Sequence, residues 1–334
     1  MRALVYRSAG DVRLEVRPDP VPAPGEVVVR PVLTGLCGTD RAIVAGRYAA
    51  RPGTVLGHES VGTVTGVGPG VTAFSAGDRV AINPTGFCGT CAACRAGRTG
   101  RCAEKPAREV GISVDGALSE AVAVPAGLVA ALDPALPDRR AVFAEPLACA
   151  LNGLRAAALG TSDRVLVLGG GPLGLLLALA ASRTARSVRV AERDPYRRAL
   201  GERLLGPPGD DEEAPTLVAD TTGNALETAI AAVADGGRVL LMGCDDGATA
   251  TVRPFELTAR GIAVVGACDY DEVMFGSALD ALLELECERL LTHVLPLERY
   301  EEALNLLGVA ASGTAVPGGT SRYRAMKVAL GPAA

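Results

Sequence analysis

Residues 165–174, with the sequence VLVLGGGPLG, restrict the possible fold more than any other segment of this chain. Gly169, Gly171 and Gly174 form a G-x-G-x-x-G motif that follows a short apolar strand and opens an apolar helix. The first glycine permits a tight turn, the second lets the backbone approach a pyrophosphate, and the third lets the helix pack on the strand. The segment therefore predicts a dinucleotide site at the first strand of a parallel sheet.

The same segment lies within an uncharged run of 18 residues, 165–182, which is long enough for a membrane helix. Four glycines and a proline fall in its first ten residues, so we interpret the run as a strand, a turn and a buried helix. The N-terminal residues MRALVYRSAGDV contain no apolar signal-peptide core. We expect a cytoplasmic protein with no membrane partner, in which clustered cysteines bind metal rather than form disulfides.

Residues around the glycine motif indicate which dinucleotide binds. Pro172 and Leu173 begin the helix, whose free N–H groups attract phosphate. Glu192 ends the next predicted strand, where an acidic residue accepts hydrogen bonds from the adenosine ribose and repels a 2′-phosphate. Arg193 and Arg197 could instead receive a 2′-phosphate. On balance the sequence favours NAD over NADP.

Strands and helices alternate from Arg164 to about residue 268, which predicts a doubly wound parallel sheet. The interval 206–215, GPPGDDEEAP, is too short for a strand and a helix. We therefore expect a sheet shortened by one βα unit, with an order near 2-1-4-5-6, the Glu192 strand at an edge and the acidic loop guarding it. Thr222 and Gly223, which follow strand TLVAD, are expected near the nicotinamide ribose.

The rest of the chain has a different pattern. Residues 1–135 are rich in short Val and Ile segments separated by Pro and Gly turns, which predicts a β-rich part. After residue 268 we expect helices at 273–286 and 298–307 and a final strand MKVAL, with a low-complexity loop over 308–323.

A formal net charge of -5, 3% aromatic residues and no tryptophan argue against a nucleic-acid partner.

Four cysteines fall within fifteen residues in a C-x2-C-x2-C-x7-C pattern. They are Cys88, Cys91, Cys94 and Cys102. Four thiolates suit a tetrahedral structural zinc ion and leave no open position for substrate. An iron–sulfur cluster is an alternative, although its common spacings differ. A reduced cysteine-rich loop without metal is the remaining interpretation.

A second group of metal-ligating residue types is dispersed along the chain. Cys37 lies in GLCGTD, His58 and Glu59 in LGHES, and Glu145 in AEPLACA. Singly, each has an ordinary structural interpretation, since a lone cysteine is usually a small buried hydrophobe. The dispersed group gains meaning only in combination with the cysteine cluster and the glycine turn.

GLCGTD, VLGHESVGTV, the four-cysteine lobe, EPLACAL and the glycine turn, in this order, resemble the zinc-dependent medium-chain alcohol dehydrogenase family. The resemblance spans nearly the whole chain. It implies a GroES-like, β-rich catalytic domain over residues 1–147 with the structural zinc lobe at 88–102. It also implies a Rossmann domain over 148–267 and a return to the catalytic domain over 268–334.

The resemblance implies two zinc ions per chain, with Cys37 and His58 as ligands of the catalytic one. Glu145 stands where polyol and sugar dehydrogenases of the family have Glu and simple-alcohol dehydrogenases have Cys. Glu59 ligates zinc in polyol-type members and lies behind the metal in others, so we expect only one of these glutamates to bind in any one state. Thr39 would relay the substrate hydroxyl proton. Ala42 replaces the next relay residue, a histidine, so the relay is shortened.

We expect a zinc-dependent dehydrogenase that transfers hydride between NAD(P) and a polar secondary alcohol, such as a polyol, a sugar, or a cyclitol or aminocyclitol. A zinc-less reductase of the same superfamily, acting on enones or quinones, is one alternative. A non-enzymatic nucleotide-binding protein is the other. The resemblance also implies a homodimer or homotetramer, paired through the strand at 262–267.

Overall fold

The computed structural model describes residues 1–206, 213–244, 247–316 and 325–331. The chain divides into two compact units, one made of Met1–Glu145 with Tyr270–Ala334 and the other of Pro146–Asp269. Residues 207–212 of the predicted acidic loop and 317–323 of the predicted low-complexity loop lie outside the described residues.

The first part of unit one is built from short strands with few helices, because its Val-rich segments are interrupted by Pro and Gly turns. Its elements are β1 (Arg2–Ser8), β2 (Asp11–Val16), β3 (Glu26–Leu36), α1 (Gly38–Val44), β4 (Glu59–Val67), β5 (Arg79–Ile82), α2 (Ala92–Arg95), β6 (Val122–Pro125), β7 (Val129–Ala131) and α3 (Asp138–Ala141).

Unit two contains the alternating strands and helices that follow. After α4 (Ala144–Ala156), which begins at the boundary, come β8 (Arg164–Leu168), α5 (Pro172–Ala181), β9 (Ser187–Ala191), α6 (Pro195–Leu205), β10 (Leu217–Asp220), α7 (Leu226–Ala232), β11 (Arg238–Leu241), α8 (Pro254–Arg260) and β12 (Ala263–Gly266).

The five strands of unit two pair in parallel in the order β12-β11-β10-β8-β9. In a full dinucleotide-binding sheet, β8 and β9 would be strands 1 and 2, and β10, β11 and β12 would be strands 4, 5 and 6. Read from β9, the order is therefore the predicted 2-1-4-5-6, and the shortened sheet is confirmed. β9, which leads into Glu192, is an edge strand. The core strand β10 is fully buried along its length.

The uncharged run at 165–182 is divided between strand β8 and helix α5, whose residues Leu175–Leu177 are fully buried. Across the described ranges, no helix combines the length and the apolar character needed to cross a bilayer. The run is therefore core of unit two.

The chain returns to unit one through α9 (Glu272–Leu282), β13 (Leu291–Pro296), α10 (Tyr300–Leu307) and β14 (Lys327–Gly331). The seven-stranded sheet of this unit has the order β13-β14-β3-β4-β5-β7, with β6 paired to β3. β14 is antiparallel to β3 and parallel to β13. The return segment therefore supplies strands beside the centre of the sheet.

Candidate functional site

Strand ends in unit one bring the dispersed metal-ligating residues together. Cys37 follows the last residue of β3, and His58 and Glu59 lie at the start of β4. β3 and β4 are antiparallel, with Gly35 opposite Glu59 in register. Because antiparallel pairing places the end of one strand beside the start of the next, residues 21 positions apart in sequence become neighbours.

Ligand atoms of Cys37, His58 and Glu59 lie within 4.8 Å of one another. His58 is 6% exposed and Glu59 is 1% exposed. In the described part of the chain, His58 Nδ1 and Glu59 Oε1 are buried atoms without a hydrogen-bond partner. Leaving such groups unsatisfied is costly, and a thiolate, an imidazole and a carboxylate form a usual donor set for zinc. The residues therefore fit a bound zinc ion.

Asp40, on α1, orients two of these residues. It is fully buried, and its Oδ2 accepts a hydrogen bond from the Cys37 backbone N–H at 2.8 Å. Its Oδ1 lies 3.6 Å from His58 Nδ1. Burial lowers the pKa of His58, but the Asp40 carboxylate and Cys37 raise that pKa well above its ordinary value. A carboxylate behind a histidine is the usual device for fixing a metal ligand's ring.

Lys327, the first residue of β14, adds a buried positive charge to the cluster. Its ammonium forms an ion pair with Glu59 Oε2, and its side chain is 3% exposed. Burial lowers the pKa of Lys327, but Glu59, Cys37 and Glu145 raise it, and the net direction is upward. No sequence motif marks this residue. The one available signal was its rarity, since only two of the 33 Lys and Arg residues are lysines.

The other predicted catalytic residues lie around this cluster. Thr39 is half-buried in the first turn of α1, with Oγ1 3.7 Å from Cys37 Sγ. Glu145 lies in the first turn of α4 and outside the 4.8 Å cluster. Its carboxylate nevertheless acts on Lys327 electrostatically. The structure thus groups Glu59, and not Glu145, with Cys37 and His58.

A second cluster in unit one consists of the thiols of Cys88, Cys91, Cys94 and Cys102. The Sγ atoms of Cys88 and Cys94 are 4.0 Å apart, and those of Cys91 and Cys94 are 3.5 Å apart. Four sulfurs bound tetrahedrally to zinc at about 2.3 Å would be separated by about 3.8 Å. The four thiols are therefore spaced as a closed zinc site requires.

Hydrogen bonds to sulfur favour the thiolate form that binds metal. Cys88 Sγ accepts from the Thr90 hydroxyl at 3.6 Å and from the Cys91 N–H at 3.3 Å. The Thr90 hydroxyl, followed by backbone N–H groups, lowers the pKa of Cys88 to about 6. The Cys88 and Glu104 N–H groups donate to Cys102 Sγ at 3.3 Å and 3.4 Å.

The four-cysteine lobe is fastened to the segment that returns from unit two. Thr99 Oγ1 accepts a hydrogen bond from the Glu272 N–H at 2.7 Å, and the Gly100 N–H donates to Asp271 Oδ1 at 3.2 Å. These two contacts join the lobe to the start of α9. The lobe therefore positions the return segment within unit one.

The glycine motif of unit two has the geometry that its spacing predicts. Gly169 has φ +101°, a conformation that favours glycine. A side chain on Gly174 would overlap the Gly169 carbonyl, so the close packing of α5 on β8 requires glycine there. Gly171 is the N-cap of α5, and Arg197 Nη1 lies 3.8 Å from the point that a Cβ on Gly171 would occupy. The turn leaves room for a phosphate beside a guanidinium.

Glu192 links this turn to the end of β9. Its Oε2 accepts from the Gly170 N–H at 2.7 Å, and its Oε1 accepts from the Asp194 N–H at 2.8 Å. Each carboxylate oxygen retains lone-pair capacity for a ribose hydroxyl. Arg193 is exposed, whereas Arg197 is half-buried near the glycine turn. The acidic residue is thus held in place, and Arg197 is the one of the two arginines that lies beside the glycine turn.

The loop that carries Thr222 and Gly223 is organised by Asp220, a second residue missed in the sequence. Asp220 is 1% exposed at the end of β10. Its Oδ1 accepts from the Thr222 N–H at 2.8 Å and from the Thr222 hydroxyl at 2.6 Å, and its Oδ2 accepts from the Ala225 N–H at 2.8 Å. The loop lies at the carboxyl end of the sheet, where dinucleotides bind.

Comparisons with known proteins agree with this arrangement. Residues 23–134 match the family described as Alcohol dehydrogenase GroES-like domain. D-altritol 5-dehydrogenase of Agrobacterium fabrum is 38% identical over 317 residues, covering 89% of this chain and 93% of the relative. A structure from Sinorhizobium meliloti 1021, described as a zinc-binding dehydrogenase bound to NADP, has TM-score 0.88 at 27% identity, covering 99% of each chain. An alcohol dehydrogenase from Escherichia coli CFT073, complexed with NADH, has TM-score 0.87 at 26% identity, again covering 99% of each chain.

Proposed function

We propose, because this chain belongs to the zinc-dependent medium-chain alcohol dehydrogenase family, that it transfers hydride between a polar secondary alcohol of the polyol class and NAD. The convergence of half-buried Cys37 with buried His58 and Glu59 within 4.8 Å supports this function most directly. A carboxylate in the ligand set matches the polyol branch, and the D-altritol dehydrogenase relative acts on such a compound.

When bound, zinc supplies Lewis acidity that lowers the pKa of the substrate hydroxyl, and NAD accepts the hydride. Thr39 Oγ1, beside Cys37, would accept the hydroxyl proton as the alcohol is oxidised. Ala42 prevents the proton from continuing to a histidine on α1. We propose that the proton leaves through water, the cofactor ribose or a carboxylate.

Charges around the cluster would keep its ligands in place. Asp40 holds the His58 ring from behind, and Lys327 holds Glu59 by an ion pair. Because the ligand atoms of Glu59, Cys37 and His58 lie within 4.8 Å of one another, we propose that Glu59 is the third protein ligand in the resting site.

The four-cysteine lobe supports a second, structural zinc ion, which gives two per chain. Glu192, held at the ribose position, supports NAD over NADP because a carboxylate repels a 2′-phosphate.

We also propose a cytoplasmic homodimer or homotetramer. Its support is β12, an edge strand with exposed residues Ala263 and Val264 that can pair with a second copy.

A substrate screen tests the proposed function. Zinc-loaded protein is assayed with polyols, sugars and cyclitols, in parallel with NAD and with NADP, while absorbance at 340 nm is followed and zinc is counted. We expect two zinc ions per chain and turnover of at least one polyol with a higher kcat/KM for NAD than for NADP.

Two results would contradict the proposal in different ways. One zinc ion per chain, retained by the lobe alone, together with reduction of enones or quinones, would identify a zinc-less reductase. Two bound zinc ions without turnover of any alcohol would indicate a non-enzymatic nucleotide-binding protein.

A further inference from the structure

Two cysteines outside both metal clusters meet at the carboxyl edge of the sheet in unit two. β11 and β12 are parallel neighbours with Leu241 opposite Gly266, and the Ala267 N–H donates to the Leu241 carbonyl at 2.9 Å. Cys244 lies three residues after Leu241 and Cys268 lies two residues after Gly266, in the loops that follow the two strands, and both are exposed thiols. Neighbouring strands lie about 4.8 Å apart, so the two loops leave the sheet side by side, and a disulfide between them requires a Cα separation of about 4.4–6.8 Å.

The two thiols interact with each other. A hydrogen bond from Cys268 lowers the pKa of Cys244 to about 7, although partial burial and the Asp269 carboxylate act to raise that pKa. A substantial fraction of Cys244 is therefore thiolate at neutral pH. Attack on a disulfide is fastest when the pKa of the attacking thiol is near the ambient pH.

The backbone before Cys244 is packed against the predicted cofactor loop. A Cβ on Gly243 would overlap the Gly223 backbone N and the Thr222 carbonyl carbon, so the two loops touch along their main chains. The Met242 N–H also donates to the Asp220 carbonyl at 2.9 Å. We therefore expect a covalent constraint on Cys244 to shift Thr222 and Gly223, the residues predicted near the nicotinamide ribose.

We propose that Cys244 and Cys268 form a dithiol modification site, which organic disulfides convert to an intramolecular disulfide, and that this disulfide weakens dinucleotide binding. The modification itself rests on the geometry of β11 and β12. Only its effect on binding rests on the proposed function.

The chemistry is a thiol–disulfide exchange in two steps. The Cys244 thiolate attacks one sulfur of the organic disulfide, which forms a mixed disulfide and releases one thiolate. Cys268, once deprotonated, attacks Cys244 Sγ, closes the protein disulfide and releases the second thiolate. Two protein thiols are oxidised and one organic disulfide is reduced, and the two thiol protons pass through water to the two released thiolates.

Disulfide mapping tests the modification without any assay of activity. Zinc-loaded wild-type protein is incubated with oxidised glutathione, remaining thiols are blocked with N-ethylmaleimide, and tryptic peptides are analysed by mass spectrometry. We expect a cross-link between the peptide containing Cys244, residues 239–260, and the peptide containing Cys268, residues 261–289. The zinc content must stay unchanged, because zinc release would show attack on the lobe.

Three variants make the result specific. Cys268→Ser cannot close the disulfide and is expected to accumulate a glutathione adduct on Cys244 that reductant removes. Cys244→Ser lacks the attacking thiolate and is expected to react much more slowly. Cys287, fully buried and with its pKa raised to about 12 by burial, shares a peptide with Cys268. Cys287→Ala should therefore retain the cross-link.

Calorimetric titration with NAD then compares oxidised and reduced protein. We expect oxidation to weaken binding by about tenfold, within the usual range of coupling between sites, and reductant to restore it. The double variant Cys244→Ser/Cys268→Ser should keep its affinity through the same treatment.

Absence of the cross-link in wild-type protein would overturn the modification site. A cross-link with unchanged NAD affinity would overturn its effect on binding. Reduced protein that binds neither NAD nor NADP would instead overturn the proposed function, while the cross-link continues to report on the dithiol.

Discussion

The two lysines of this chain each face a glutamate in a largely buried setting. Lys105 Nζ lies 2.6 Å from Glu109 Oε1, and the two side chains are 12% and 14% exposed. Lys327 forms an ion pair with Glu59, and these two side chains are 3% and 0% exposed. In a chain whose other basic residues are arginine, both lysines sit where a compact ammonium fits beside a carboxylate. Residue identity at these two positions is therefore set by space and charge.

Replacement of Lys327 by methionine tests this at the metal cluster. Methionine keeps an unbranched chain but removes the charge, so Glu59 becomes a buried carboxylate without its counter-ion. Breaking a buried pair in this way costs about 3–5 kcal/mol of unfolding free energy. We expect that loss in chelator-treated protein, measured by urea unfolding, and a smaller loss in zinc-loaded protein, because zinc replaces the missing positive charge.

Lys105→Met is the matched control. Its ion pair with Glu109 is more accessible to water, so we expect a loss of about 1 kcal/mol, equal with and without chelator treatment. If the two variants were equally destabilised in zinc-free protein, Lys327 would have no special role beside Glu59.

The two candidate metal sites of unit one differ in how many thiolates they contain and in where those thiolates lie in the sequence. In the lobe at 88–102, four cysteines of one local segment surround a common centre and hydrogen bonds from backbone N–H groups support them. At the strand ends, Cys37 is the single thiol beside an imidazole and a carboxylate. The lobe has a complete set of ligands, whereas the strand-end site has three and can accept a substrate oxygen.

Cys94→Ala and Cys37→Ala are expected to separate these two roles. Cys94→Ala removes one of four lobe ligands and frees the contacts of Thr99 and Gly100 with the start of α9. We expect loss of one zinc ion and a fall in Tm of roughly 5 °C or more, since each kcal/mol shifts Tm by about 2–4 °C in a domain of this size. Residual protein should still turn over substrate.

Cys37→Ala is expected to lose the other zinc ion and turnover, with NAD binding intact and Tm little changed. Thermal unfolding, zinc analysis and calorimetry on the same preparations distinguish the two variants. A Cys94→Ala protein that was stable but inactive would reverse this assignment of the two sites.

At the scale of the whole molecule, features that depend on local spacing were predictable from the sequence, whereas features that depend on long-range strand pairing were not. The shortened sheet followed from the ten residues of GPPGDDEEAP, because a missing strand and helix can be counted along the chain. Asp220 and Lys327 were not predicted, since an acidic residue ending a strand is common and β14 pairs with β3 from almost the opposite end of the sequence. Sequence motifs mark ligands that contact the metal or nucleotide, whereas the residues that orient them depend on strand pairing.

The edge position of β9 carries a prediction about cofactor affinity. A full sheet would place a further strand and helix beside Glu192, but among the described strands β9 has a neighbour on one side only. We therefore expect an adenine pocket with a thinner wall that buries less of the ring. We expect an NAD dissociation constant above about 1 µM, equivalent to less than about 8.2 kcal/mol of binding free energy.

Calorimetry is the suitable measurement, because the chain contains no tryptophan whose fluorescence could report binding. ADP-ribose, which is NAD without its nicotinamide ring, serves as the control ligand and should bind almost as weakly as NAD. A submicromolar constant for NAD would show that the loss of one βα unit is compensated elsewhere.

Unit one is made of two chain segments that are separated in sequence by unit two, and this affects how unit one folds during synthesis. Domains form as their residues leave the ribosome at about 5–20 residues per second. Unit two, Pro146–Asp269, is continuous and can fold while later residues are still being made. β14, in contrast, inserts between β13 and β3, and it carries the ammonium that faces Glu59. The strand-end ligands are thus synthesised roughly 15–60 s before Lys327, and we expect a bound zinc ion to supply the positive charge beside Glu59 during that interval.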